Sequence, residues 1–148
     1  MRLTLIAAGM AAAVSFVARA DAASAPKPEA VACLTEALYH ETRGNGERAA
    51  YAVAHVVLNR REHEEFPETV CAVIADGCEF SYRCDGKPES FTEDKEAARA
   101  GRVAEAVLAG ESSDPTDGAL FFHAEGIEPG WFESRDRTAE IGGNVFYR

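Results

Sequence analysis

Cys33-Leu34-Thr35-Glu36-Ala37-Leu38-Tyr39-His40-Glu41-Thr42-Arg43-Gly44 carries the period of an α-helix. Leu34, Ala37 and Leu38 recur at the spacing that puts side chains on one helical face, and the next position of that stripe is Glu41. Arg43-Gly44-Asn45-Gly46 then ends the helix at two glycines. A carboxyl group that extends an apolar stripe in the last turn meets two adverse effects. Partial burial and the negative end of the helix dipole both disfavour its charge. The expected direction is a raised pKa, which a general acid near neutral pH requires. The plainer alternative for Glu41 is an ion pair with Arg43 or Arg48. Glu36 and His40 fall off the stripe and are expected to meet solvent.

Outward from this segment the chain reads as helices first and strands last. The first helix spans Ala30 to Thr42 and a more apolar second one Glu47 to Glu62. Pro67 to Ala75 suggests a short third helix opened by proline, and Thr92 to Ala109 a fourth with Thr92 as N-cap. Phe80-Ser81-Tyr82 is expected to form a small hairpin arm. Ala119 to His123, Ala139 to Ile141 and Asn144 to Tyr147 look like strands, the last two joined by a tight Gly142-Gly143 turn. The sum is one α+β domain over residues 30–148, mainly helical with a small antiparallel β element.

Composition sets the outer limits. A chain of 148 residues that is 47% hydrophobic has the length and apolar content for one ordinary core. Its net charge of -10 argues against nucleic acid as a partner, because phosphate binding needs a basic face. Arg2 and the apolar run Leu3 to Val17 have the form of an export signal, residues 1–20, with cleavage possible as late as 22–25. Residues 21–29 then form a flexible lead-in. The 15-residue run is short for a membrane span, so no stable insertion is expected after cleavage. An exported protein of the periplasm or cell envelope, monomeric by default, is the resulting expectation.

Four cysteines, Cys33, Cys71, Cys78 and Cys84, follow the signal, and an even count in an exported chain points to two disulfides. Three connectivities exist. Cys78 and Cys84 flank a turn-like segment and are the local choice, which leaves Cys33 with Cys71. Zinc is the competing use of these thiols, but no C-x2-C pair is present, so neither metal nor cofactor is expected.

Other chemistry-bearing residues are less specific. Tyr51, His55 and Asn59 recur at i, i+4 and i+8 as a polar stripe that lines a cleft or simply meets water. His123 follows two phenylalanines, and Trp131 is suited to stacking on a sugar ring, although both residue types also serve in cores. His40-Glu41 begins an H-E-x-x-H zinc-peptidase motif that Gly44 interrupts. Neither G-x-S-x-G nor a phosphate-binding G-x-x-x-x-G-K-[ST] occurs.

Several blocks together resemble the SleB-type cell-wall hydrolases. They are Cys33 to Gly44, Ala52 to Arg60, Phe66 to Cys71, Cys78 to Gly86, Asp114 to Ala119, Phe121 to Ala124, and Ile141 to Tyr147. The resemblance runs in order through nearly all of the domain. It implies a lysozyme-like fold and lytic transglycosylase action on the glycan strands of peptidoglycan. It also implies that Glu41, in the matching E-T-R-G block, is the catalytic acid/base. Asn59, Glu79, Ser81, Tyr82, His123 and Trp131 are the candidate substrate contacts. Two positions depart from the pattern: Asn45 stands where glutamate is usual, and Glu79 where glutamine is common before Phe-Ser. A cleft-facing Glu79 would favour a hydrolytic muramidase using both carboxylates. A zinc amidase built on His40, His55 and His123, and a catalytically inactive wall-binding protein, are the readings from other classes.

Overall fold

Pro28, two residues before the expected start, opens the first helix because its ring presets the backbone for the first turn. In the computed structural model, which describes residues 25–148, α1 spans Pro28–Thr42 and α2 Glu47–Glu62. The expected export signal and the first part of the lead-in lie outside the described residues. Gly44 and Gly46 both take φ of +85°, a region that costs a side-chain-bearing residue energy, and they turn the chain from α1 into α2. Leu34, Ala37 and Leu38 are fully buried, as the stripe requires, in one core with Val53, Val56 and Val57 of α2.

Two further helices complete this layer. α3, Val70–Ile74, begins later than expected because Thr69 caps it, its hydroxyl accepting the Ala72 N–H at 3.2 Å. α4, Asp94–Leu108, buries Ala100, Val103, Ala104 and Val107. Gly101 of α4 lies against Thr35 of α1. Thr92 does not cap α4. Its hydroxyl sits 3.2 Å from the Tyr39 hydroxyl, and the helix starts after Glu93 with no side-chain cap. The expected hairpin arm at Phe80-Ser81-Tyr82 is a 3-10 turn, Ser81–Cys84. The short loop closed by Cys78–Cys84 leaves no room for two paired strands.

β1 (Phe121–Ala124), β2 (Arg137–Ile141) and β3 (Asn144–Tyr147) form one antiparallel sheet in the order β1-β3-β2. Pairing of Phe122 with Phe146 and of Ala124 with Asn144 puts these four on one face, which joins the helical core through Phe122 and Phe146. Phe121, His123, Val145 and Tyr147 share the opposite face. The β2–β3 turn is wedged against the start of α2: a Cβ on Gly142 would lie 2.5 Å from the Ala49 Cβ and 3.2 Å from the Asn45 carbonyl oxygen. Only glycine fits there. Both expected disulfides are present, Cys33–Cys71 joining α1 to α3 and Cys78–Cys84 closing the loop before α4.

Candidate active site

Glu41 is held in the last turn of α1 on the buried side, as its place in the stripe requires. No hydrogen bond or ion pair to it is found among the described residues, so the alternative of a pair with Arg43 or Arg48 is not realised. Arg43 turns instead to the Tyr39 hydroxyl at 3.2 Å and to Glu93 at 3.4 Å. Burial alone pushes the Glu41 carboxyl up to about 7. At neutral pH it is thus poised between acid and base. This poise has a measurable thermodynamic consequence. The folded protein binds the Glu41 proton more tightly than the unfolded chain, so stability from this group is fully present below pH 4.5 and is lost as pH rises through about 7. Glu41→Gln removes that loss. The variant is expected to match wild type in thermal unfolding at pH 4 and to exceed it at pH 8, by at most on the order of 3 kcal/mol. A constant difference across that range would contradict the raised pKa.

The neighbours of Glu41 on α1 are not solvated as expected. Glu36 accepts hydrogen bonds from the Tyr82 hydroxyl at 3.2 Å and from Arg83 at 3.0 Å. His40 stacks on the Tyr82 ring at 4.4 Å between centroids, and its Nε2 is buried without a hydrogen bond. Tyr82 is itself buried, and burial, reinforced by the charge of Glu36, raises its pKa. Ser81 is exposed at the start of the same turn. Tyr39 carries no distinguishing signal in the sequence, yet its hydroxyl accepts the backbone N–H groups of Thr92 and Glu93 at 3.0 and 3.2 Å. It ties the segment before α4 to the Glu41 turn.

The polar stripe of α2 is partly covered and partly open, its Tyr51 and Asn59 each lining a surface hollow and His55 buried between them. It packs on the 111–120 loop. His55 Nε2 lies 3.0 Å from Ser112 Oγ, and burial lowers the pKa of this histidine. Asn59 Nδ2 donates to Asp114 at 2.9 Å and to the Ala119 carbonyl at 3.0 Å. Burial would raise the Asp114 pKa, but hydrogen bonds from Thr116, Asn59 and the Gly118 N–H hold it low. Glu79, with half of its side chain exposed, pairs with the buried Arg60 at 3.2 Å, and Arg60 also donates to the Leu120 carbonyl. His123 and Trp131 meet elsewhere, around the Phe121–Tyr147 face of the sheet, with ring centroids 5.8 Å apart. His123 donates from Nδ1 to the Ala124 carbonyl, which leaves Nε2 to accept the Tyr147 O–H at 3.0 Å. Of the sequence candidates, then, Tyr82 is the one in contact with His40, beside the Glu41 turn.

Small hollows flank that corner. One of about 230 Å³ is lined by His40, Arg43, Tyr82 and Thr92, and another of about 360 Å³ by Arg48, Tyr51 and Ile141. A larger one, about 670 Å³, lies against Pro28 and Val31 at the other end of α1, roughly 15 Å along the helix axis from Glu41. Among the described residues no three His, Cys, Asp or Glu side chains gather to hold a metal ion. His40, His55 and His123 occupy three separate surroundings.

A family model for Cell Wall Hydrolase matches residues 44–147. The chain belongs to the cell wall hydrolase family. The match opens at Gly44, directly after the Glu41 turn, and takes in the Asp114 loop and the whole sheet. Solved relatives of these cell wall hydrolases share the architecture. The catalytic domain of the germination-specific lytic transglycosylase SleB from Bacillus anthracis aligns with a TM-score of 0.67 at 28% identity, over 82% of this chain and 96% of that one. The SleB catalytic domain of Bacillus cereus aligns with a TM-score of 0.70 at 26% identity, over 88% and 98%. The lysozyme-like, mainly helical α+β reading therefore holds. Spore cortex-lytic enzymes of Halalkalibacterium halodurans and Bacillus subtilis are 34% and 33% identical over 76% of this chain. The chain spans only about a third of their lengths, 33% and 35%.

Proposed function

We propose that this cell wall hydrolase is a lytic transglycosylase of the cell envelope, cutting peptidoglycan between N-acetylmuramic acid and N-acetylglucosamine with Glu41 as its single acid/base. The observation that carries the reading is the unpaired, largely desolvated Glu41 carboxyl at about 7. In the first half-reaction Glu41 gives its proton to the glycosidic oxygen as the bond to the muramyl anomeric carbon breaks. The resulting carboxylate then accepts the proton of the muramyl 6-hydroxyl while that oxygen bonds to the anomeric carbon. Glu41 returns to its acid form, no water is consumed, and the product ends in a 1,6-anhydro sugar. One group serves both steps because its pKa lies near neutrality.

Two-carboxylate hydrolysis needs a partner at a defined separation from the acid. Glu79 is the sequence candidate, and its engagement with Arg60 at the far end of α2 favours the one-carboxylate route. Export to the envelope rests on the signal-like residues 1–20. The test is mass spectrometry of fragments released from purified sacculi by the mature protein. Anhydro-muropeptides, one water lighter than their reducing-end counterparts, are expected. Reducing ends would establish hydrolysis instead, and no release at all would leave a wall-binding protein.

A further inference from the structure

Arg135 has no carboxylate partner among the described residues. Among the described residues, the other arginines withdrawn from solvent each have a carboxylate partner: Arg60 has Glu79, Arg61 has Glu62, and Arg99 has Glu96. Arg135, half-buried, has none. Its guanidinium carbon lies 3.4 Å from the centroid of the Phe121 ring, which fixes the plane of the group by stacking. Nε is buried with no hydrogen bond. The terminal nitrogens make none with described residues either, and Arg135 lines a hollow of about 490 Å³. An oriented, unpaired guanidinium in a chain of net charge -10 is a site for a carboxylate brought from outside.

The same hollow holds the opposite charge. Glu62 and Glu65 line it with Arg148. Glu62 is taken by Arg61 at 2.7 Å and Arg148 by Asp117 at 3.7 Å. Glu65 has no cationic partner among the described residues, and it does not pair with Arg135. A free cation and a free anion facing one cavity, held apart from each other, match a ligand that carries both charges. We infer that this hollow binds the zwitterionic amino-acid head of a peptidoglycan stem peptide, its carboxylate on Arg135 and its ammonium on Glu65. The inference rests on peptidoglycan being the substrate, and adds that peptide-bearing strands are preferred to peptide-stripped glycan.

The test is a titration of Glu41→Gln protein with a soluble stem tripeptide ending in meso-diaminopimelate, followed by NMR at the arginine Nε–H groups and at the backbone of residues 59–65 and 118–120. Saturable shifts there are expected. Arg135→Gln should weaken binding at least about tenfold, with Arg135→Lys between the two. Acetylation of the diaminopimelate amine should weaken it comparably. If Arg135→Gln does not fold, the exposed Glu65→Gln decides the matter, and unchanged affinity overturns the inference. So do shifts confined to other surfaces or an absence of saturation. In the active protein, Arg135→Gln should raise KM on peptide-bearing strands and leave kcat and the rate on stripped glycan unchanged. Because the titration needs no turnover, a protein that binds the peptide yet releases nothing from sacculi keeps this site and loses the proposed activity. The reverse result does the opposite.

Discussion

Glu41→Gln is expected to lower the release of anhydro-muropeptides from sacculi at least about a thousandfold, because one amide replaces both the acid of the first half-reaction and the base of the second. The amide is nearly isosteric and uncharged, so the fold is retained and, above neutral pH, made more stable. Loss of activity thus cannot be ascribed to unfolding. The pH profile carries the same information. In the proposed route protonated Glu41 is the competent form, so kcat/KM should be level below neutrality and fall about tenfold per unit above pH 7, where the carboxyl titrates. A one-carboxylate route has no further group to deprotonate, so no acid limb from a second carboxylate is expected. Glu79→Gln is the informative companion. It keeps an oxygen acceptor for Arg60 and should leave the product anhydro, with its rate within a few-fold of wild type. A shift to reducing ends, or an acid limb that vanishes in Glu79→Gln, would restore the two-carboxylate hydrolase.

Replacing Cys33 and Cys71 together by alanine should cost about 4 kcal/mol, since their bridge closes a loop with a sequence separation of 38. For a domain of this size that corresponds to a fall of roughly 10–20 °C in Tm. Cys78 and Cys84, separated by 6, close a much shorter loop, and the same double replacement there should cost only about 2 kcal/mol. The functional consequences also diverge. Cys33 lies on the helix that carries Glu41, and its bridge anchors that helix to α3, whereas Cys78–Cys84 shapes the 3-10 turn from which Tyr82 reaches His40. Calorimetry of the two double variants in parallel tests the ordering. Equal losses, or a greater loss from the shorter loop, would show that local packing and not chain entropy dominates.

Much of this molecule is legible in one dimension because helical period and turn chemistry act over a few residues. The α1 stripe from Leu34 to Glu41, the limits of α2 and the span of β3 follow from spacing and from glycines that tolerate positive φ. The resemblance through Glu41-Thr42-Arg43-Gly44 assigns the candidate acid a known kind of chemistry, and the family match over residues 44–147 agrees on the class of enzyme. Where local signals competed with distant partners they misled. Thr92 has the makings of an N-cap, but the Tyr39 hydroxyl, 53 residues away, engages it. Glu36 and His40 belong to a polar face by period, yet Tyr82 and Arg83 cover that face.

The number and order of the helices and the Gly142-Gly143 turn were readable along the chain, because period and turn chemistry act between near neighbours, whereas the role of Glu41 came from the resemblance. Tertiary structure alone decided which polar residues are partnered. Asn59 is committed to Asp114, Glu79 to Arg60 and His123 to Tyr147, while Glu41 and Arg135 have no ion-pair partner among the described residues. The reason is physical. Burial and pairing set the charge state of a side chain, and both are supplied by segments far apart in sequence that only folding brings within a few ångströms.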